Sequence, residues 1–446
     1  MGFEYVSKME PEHVHETLSK YTLVDGYDIV LDLEKSDTTH LWDSRRERKF
    51  LDFFSYFATA PLGCNHPKMA EPDFLKRLGA LAVNNPSNSD FYTIEMAEFV
   101  ETFADLAKPD SMKHLFFIAG GGLAVENALK TAFDWKARKN MMRGSEVQEG
   151  LKIIHFKEAF HGRTGYTMSL TNVGDSRKTK YFTKFNWPRI TNPKIIFPLE
   201  QNLHKVKELE SKAVDEIEQT IDSCGDECAA LIIEPIQGEG GDNHFRGEFL
   251  RTLRKICDEN ELMYIIDEVQ TGMGLTGKLW CYQHFDLEPD IICFGKKTQV
   301  CGIMASERID EIENNVFHEA SRLNSTWGGN LIDMVRVKRY LEIIEEEKLV
   351  GNAAKMGDLM LKRLQELGEK YQMSNIRGRG LMIAFDMPDS DARAKLSNKL
   401  YELGLVAPTC GERSIRFRPP LCIQEEDIDE GMEILEKAME ALSFSR

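Results

Sequence analysis

Apolar positions along the chain follow two different rhythms. Between about residues 66 and 334, short unbroken apolar runs alternate with helical patterns: HLFFIAGG (114–121), LKIIHF (151–156), CAALIIEPI (228–236), ELMYIIDEV (261–269) and DIICFG (290–295). Several of these runs lack polar alternation, as strands covered on both faces do. LAVENALKTAFDWKARK (123–139) and FLRTLRKICDEN (249–260) space their apolar residues for helices and lie between or beside the strands. The alternation predicts an α/β unit, 66–334, with a mainly parallel central sheet flanked by helices. Beyond it, NIRGRGLMIAFDM, a helical stretch around ARAKLSNKLYEL, SIRFRPPL and the helix DIDEGMEILEKAMEAL predict a smaller α+β unit, 335–446. The N-terminal segment 1–65 is expected to complete that smaller unit, through EHVHETLSKYTL and the alternating stretch IVLDLEKSDTTHLWD (29–43). Neither an internal repeat nor a low-complexity tract interrupts the pattern.

Composition narrows the class. With 446 residues, 42% hydrophobic and 29% charged, the chain can bury a large core, and its glycines and prolines form no linker-like tract. A formal charge of -17 argues against nucleic acid or an anionic membrane surface as partner, so an anionic ligand must be held by local groups. The nine scattered cysteines read as free thiols of a reducing compartment, and Cys224 and Cys228 lack the further ligands of a zinc site, so no metal is expected. No apolar run is long enough to span a bilayer, and the charged start lacks a signal-peptide core. The expectation is a cytoplasmic protein without membrane contact.

Ligands of open parallel α/β sheets sit beyond the carboxyl ends of the strands, and three of those ends carry unusual groups. ELMYIID ends in Asp267, a carboxylate leaving a buried strand; it either serves chemistry or caps the next helix. PDIICFG is followed by Lys296 and Lys297. AGGG (119–122) follows a strand and opens a helix, so the amides of Gly121 and Gly122 can hold a dianion at the positive end of the helix dipole. A lysine, a buried carboxylate and a phosphate cradle together are what pyridoxal phosphate requires: an amine to hold it, an anion to keep its pyridine nitrogen protonated, and a site for its phosphate. A nicotinamide-binding fold is the rival reading of the glycines, but the GxGxxG spacing is not met.

IIDEVQTGMGLTGK (265–278), PDIICFGKK (289–297), AFHGRTGYT (159–167) and EPIQGEGGD (234–242) resemble the signatures of class III aminotransferases of the fold-type I group, in their usual order. The resemblance runs nearly end to end. GEGGD, DEVQTG and the GKK pair are nearest the 4-aminobutyrate and lysine 6-aminotransferases, and NNPSNSDFYT (84–93), GGLAVENALKTAFDWKARK, GKKTQVCG and RLNSTWGGN are similar to lysine 6-aminotransferases over long blocks.

The resemblance implies a pyridoxal 5'-phosphate enzyme moving the ε-amino group of L-lysine to 2-oxoglutarate, with 2-aminoadipate 6-semialdehyde and L-glutamate as products. Other ω-aminotransferases, of the 4-aminobutyrate or ornithine type, are the alternative. It makes Lys296 the Schiff-base lysine, Asp267 the partner of the pyridine nitrogen, and Gln270 the partner of the ring oxygen. Phe160 and Val269 would pack the two ring faces. Thr326 would reach the phosphate of the partner subunit, so the working unit would be a homodimer. Arg163 would grip the far carboxylate of substrates and Arg418 the carboxylate beside the reacting carbon. Glu239 would gate Arg418, its flanking glycines leaving room for movement, and Asn324 would touch substrate. The chain departs from the class pattern at Gly120 to Leu123, where most members carry Ser-Gly-Thr or Ser-Gly-Ser and then Glu, and at Ala119, where lysine 6-aminotransferases carry an acidic residue.

Overall fold

A computed structural model describes residues 9–445. Met1 to Lys8, at the start of the N-terminal segment, and Arg446 lie outside the described residues. The unbroken apolar runs are strands of one seven-stranded sheet. Its spatial order is Met112–Ile118, Cys301–Ser306, Ile291–Phe294, Met263–Asp267, Cys228–Ile233, Lys152–Phe156 and Arg189–Ile190. All pairings are parallel except those of Cys301–Ser306, which runs antiparallel to both neighbours. The three central strands, Cys228–Ile233, Met263–Asp267 and Ile291–Phe294, are buried at every position, which is why their sequences show no alternation. Helices Gly121–Met142 and Gly247–Glu259 pack beside the sheet and take the apolar faces that their periodicity announced.

The tail forms a four-stranded antiparallel sheet in the order Ser374–Arg379, Met382–Asp386, Ser414–Phe417, Thr409–Cys410. Stretch 29–43 is broken into Leu31–Asp32 and His40–Asp43, which join Arg48–Asp52 in a second small sheet. That sheet is completed by Leu405–Val406, parallel to Arg48–Asp52, so the start and the end of the chain share a layer. No helix among the described residues is long and apolar enough to cross a membrane.

Candidate active site

Because the three central strands run parallel, their carboxyl ends open on one edge of the sheet. Asp267 leaves the middle one and is 4% exposed. Its Oδ2 lies 2.7 Å from His161 Nδ1, and its Oδ1 accepts the Val269 N–H at 3.0 Å. Burial works against a charged imidazole, but the hydrogen bond and charge of Asp267 outweigh it and hold His161 above its ordinary pKa. The carboxylate is therefore held between a buried histidine and a backbone amide. Glu234 lies close by, its carboxyl pushed up to about 7 chiefly by burial, while it accepts the amides of Phe160 and Gly238.

Strand Ile291–Phe294 delivers the two lysines to different surroundings. Lys297 is buried and donates to the Gln270 carbonyl at 2.9 Å, and burial holds its pKa well below the usual lysine value. Lys296 adopts a left-handed backbone, φ 53°, sparsely populated by non-glycine residues. Its ammonium makes no hydrogen bond among the described residues and lies 5.6 Å from the centre of the Phe57 ring. Burial first, and then the charge of Arg416, push it down to about 8. Phe57 itself sits in a left-handed turn: Ser55, Tyr56, Phe57 and Ala58 all have positive φ. Such a conformation costs roughly 1–2 kcal/mol per residue. The turn is tied down by Arg418, whose N–H donates to Phe53 O and whose carbonyl accepts the Ser55 hydroxyl.

Lys296, Asp267, Val269, Gln270, Phe160, Gly121, Gly122, Arg163 and Glu239 all line one cavity of about 1020 Å³. The helix Gly121–Met142 opens on it with no acidic residue in its first turn. A Cβ on Gly121 would stand 2.9 Å from Val269 Cγ1, so the helix end packs directly on the second residue beyond the Asp267 strand. This close approach accounts for a glycine at that point of the departing Gly120–Leu123 stretch. A partnerless amine, an anion fixed by a histidine and a bare helix N-terminus facing one cavity fit pyridoxal phosphate.

Two expectations are corrected. Arg418 does not line the cavity; it is buried against Asp242, with a further contact to Gln270 Oε1 at 3.2 Å. The arginine that meets Glu239 is Arg416, whose Nη2 lies 2.8 Å from Glu239 Oε2 and whose side chain reaches the cavity wall. Gly238 and Gly240 do not leave free space either. A Cβ on Gly238 would meet the Gln270 side chain at 2.3 Å, and one on Gly240 the Glu158 carbonyl at 2.0 Å. The Glu239 carbonyl also accepts the Gly411 N–H, so the backbone is fixed and only the side chain can turn. Glu239 keeps its charge: burial would raise its pKa, but Arg416 and Lys178 together hold it below the ordinary value.

Arg163 is exposed at the cavity. Asn324 and Thr326 are exposed and line no part of the cavity within this chain; the Asn324 side chain accepts the Ser325 N–H. Sequence reasoning missed His161, Glu234, Lys178, Arg416, Phe57 and Tyr27, all of which line the same cavity. His161 stood inside the quoted AFHGRTGYT, but its partner lies 106 positions away. Among the described residues one trio, His114, Asp310 and His318, brings potential metal ligands together, though Asp310 already pairs with Lys113, His114 and Asn315.

The aminotransferase class-III family model matches residues 22–439, and the chain belongs to that family of pyridoxal-phosphate-dependent transferases. An L-lysine-epsilon aminotransferase of Streptomyces clavuligerus is 44% identical over 99% of this chain and 97% of its own length. One from Mycobacterium tuberculosis is 46% identical over 96% of each chain. A solved structure of the lysine aminotransferase from M. tuberculosis in the internal aldimine form superposes with a TM-score of 0.94 at 45% identity, covering 97% of this chain and all of that one.

Proposed function

We propose that the protein is a lysine 6-aminotransferase, passing the ε-amino group of L-lysine to 2-oxoglutarate and yielding 2-aminoadipate 6-semialdehyde and L-glutamate. The observation that carries this reading is the contrast between two arginines of one cavity: Arg163 has no carboxylate partner among the described residues, whereas Arg416 is neutralised by Glu239. A donor with a carboxylate only at its far end needs that combination. An acceptor with a carboxylate at both ends needs Arg416 released.

Pyridoxal phosphate, when bound, supplies a carbonyl carbon for the amine and a ring that takes up the electrons of the broken C–H bond. Lys296 Nζ would hold it, and the amides of Gly121 and Gly122 would take its phosphate. Asp267, kept in place by His161, would face the pyridine nitrogen. Arg418 and Arg416 both approach Gln270 at Oε1, which leaves its Nε2 hydrogens to donate to the ring oxygen. Phe160 and Val269 would close the two ring faces. Lys296 Nζ, as a free amine, would move the proton from the reacting carbon, and its low pKa leaves a useful fraction of neutral base near pH 7.5.

The same reading makes the working unit a homodimer in which Asn324 and Thr326 serve the partner's site. It divides the chain into a cofactor-binding unit, 66–334, and a small unit built from 1–65 and 335–446. The enzyme would act in the cytoplasm. A screen of amino donors with 2-oxoglutarate as acceptor, read by glutamate formation, tests the assignment. Lysine should be the best donor, and faster turnover of 4-aminobutyrate or ornithine would overturn it.

A further inference from the structure

Glu239 has two cations, one on each carboxylate oxygen. Arg416 takes Oε2, and Lys178 Nζ takes Oε1. Lys178 comes from the segment between the helical turn Thr167–Leu170 and strand Arg189–Ile190, outside the signature motifs. Its neighbour Arg177 is already paired with Asp175. The Lys178 and Glu239 side chains are 24% and 23% exposed, whereas that of Arg416 is 1% exposed. The Lys178 ammonium stands 5.8 Å from the centre of the Phe160 ring, and a second cavity of about 530 Å³ opens beside it.

We propose that Lys178 is a specificity-determining, positioning residue that receives Glu239 when the carboxylate of a dicarboxylate substrate takes Arg416. The proposal rests on the reading above, in which Glu239 and Arg416 separate in one half-reaction. Charge decides the direction. In the closed arrangement two cations flank one carboxylate, so the attraction of Lys178 to Glu239 is offset by its repulsion from Arg416. With a dicarboxylate bound, Arg416 pairs with substrate and Lys178 with Glu239, giving two neutral pairs and no such offset. Lys178 therefore favours the open arrangement more than the closed one. The Glu239 backbone is pinned, so the exchange is a rotation of its side chain, which the flexible lysine stem can follow toward the second cavity. Without Lys178, Glu239 would swing out as an unpaired carboxylate beside an incoming anion.

The test uses the holoenzyme and two unreactive acids: glutarate, with a carboxylate at both ends, and hexanoate, with one. Calorimetric affinities are measured for the wild type, Lys178→Met and Lys178→Arg. In Lys178→Met the ratio of glutarate to hexanoate affinity should fall by about fivefold, the upper range for a partly exposed pair. Lys178→Arg should restore most of it. An unchanged or increased ratio overturns the proposal. So does an equal loss for both acids, which would make Lys178 a general attractor of anions. A parallel series in Glu239→Gln separates the alternatives: with no carboxylate to receive, the effect of Lys178→Met on the ratio should vanish. Persistence there means that Lys178 touches the ligand directly, and the proposal falls. These affinities do not depend on lysine being the donor, so a failed donor screen with an intact ratio would refute the substrate assignment alone.

Discussion

Arg416 and Arg418 stand two residues apart, and their replacement by methionine should separate function from stability. Arg416 lines the cavity and meets Glu239 at 2.8 Å. Arg418 lies behind the cavity wall, paired with Asp242, whose side chain is fully buried. Removing a charge-assisted contact to a desolvated substrate carboxylate costs about 2–5 kcal/mol, or roughly thirty-fold to a few thousand-fold in affinity. Arg416→Met should therefore raise the KM for 2-oxoglutarate by at least about thirty-fold. The KM for lysine should change far less, because no carboxylate sits on the reacting carbon. Arg418→Met strands a buried carboxylate, at about 3–5 kcal/mol of stability. It also removes the side-chain contact that supports Gln270 at its Oε1, while the backbone hydrogen bonds of residue 418 to Phe53 and Ser55 remain. Its signature should be a lower denaturation midpoint and weaker cofactor retention, with any surviving activity keeping a near-normal KM for 2-oxoglutarate. Steady-state kinetics in both substrates, with denaturant unfolding of each holoenzyme, decide the matter. If Arg418→Met raised the KM for 2-oxoglutarate at unchanged stability, and Arg416→Met left it within about twofold, the carboxylate anchor would be Arg418 and the geometry would have been misread.

Three further outcomes follow from the same site. The depressed pKa of Lys296, about 8, leaves roughly a quarter of the amine neutral at pH 7.5 against about a thousandth for an ordinary lysine. Capture of pyridoxal phosphate by the apoprotein should accordingly speed up as pH rises and level off above about 8; a rise continuing beyond pH 10 in stopped-flow fluorescence would contradict the buried-amine argument. Asp267→Asn should lose cofactor on dialysis and transamination with little change in unfolding midpoint, and near-normal turnover would reduce Asp267 to a local cap of the Val269 amide. Mixed dimers of Lys296→Ala and Thr326→Ala subunits should recover activity above either parent if Thr326 serves the partner's site, because one of their two sites is then whole; no recovery would return Thr326 to its own subunit.

Much of this was legible because burial and function leave different marks on sequence. The unbroken runs at 228–233, 263–267 and 291–294 are strands buried on both faces. A charged residue at the end of such a run, Asp267 or Lys296, stands out for the cost of putting it there. Cys301–Ser306 went unread as a strand, being short, with only Ile303 and Met304 as large apolar residues and a glycine at 302, and it is the antiparallel member of the sheet. Gly302 is required because a Cβ would stand 2.1 Å from Phe116 O on the neighbouring strand.

What the sequence could not rank was residues that share a parity. Arg416 ends its turn on the strand Ser414–Phe417 and Arg418 follows just beyond it, so alternation gives both the same side. The tie is broken by Asp242, 176 positions earlier, which captures Arg418 and leaves Arg416 to the cavity. Motif text holds no trace of such a choice, since either arginine satisfies the pattern. The same limit explains the glycines around Glu239. A glycine-rich loop reads as freedom, yet Gly238 and Gly240 are small because Gln270 and Glu158 press against them. Contact, not mobility, selected them, and a fixed backbone is what lets one carboxylate side chain choose between two cations at a defined distance.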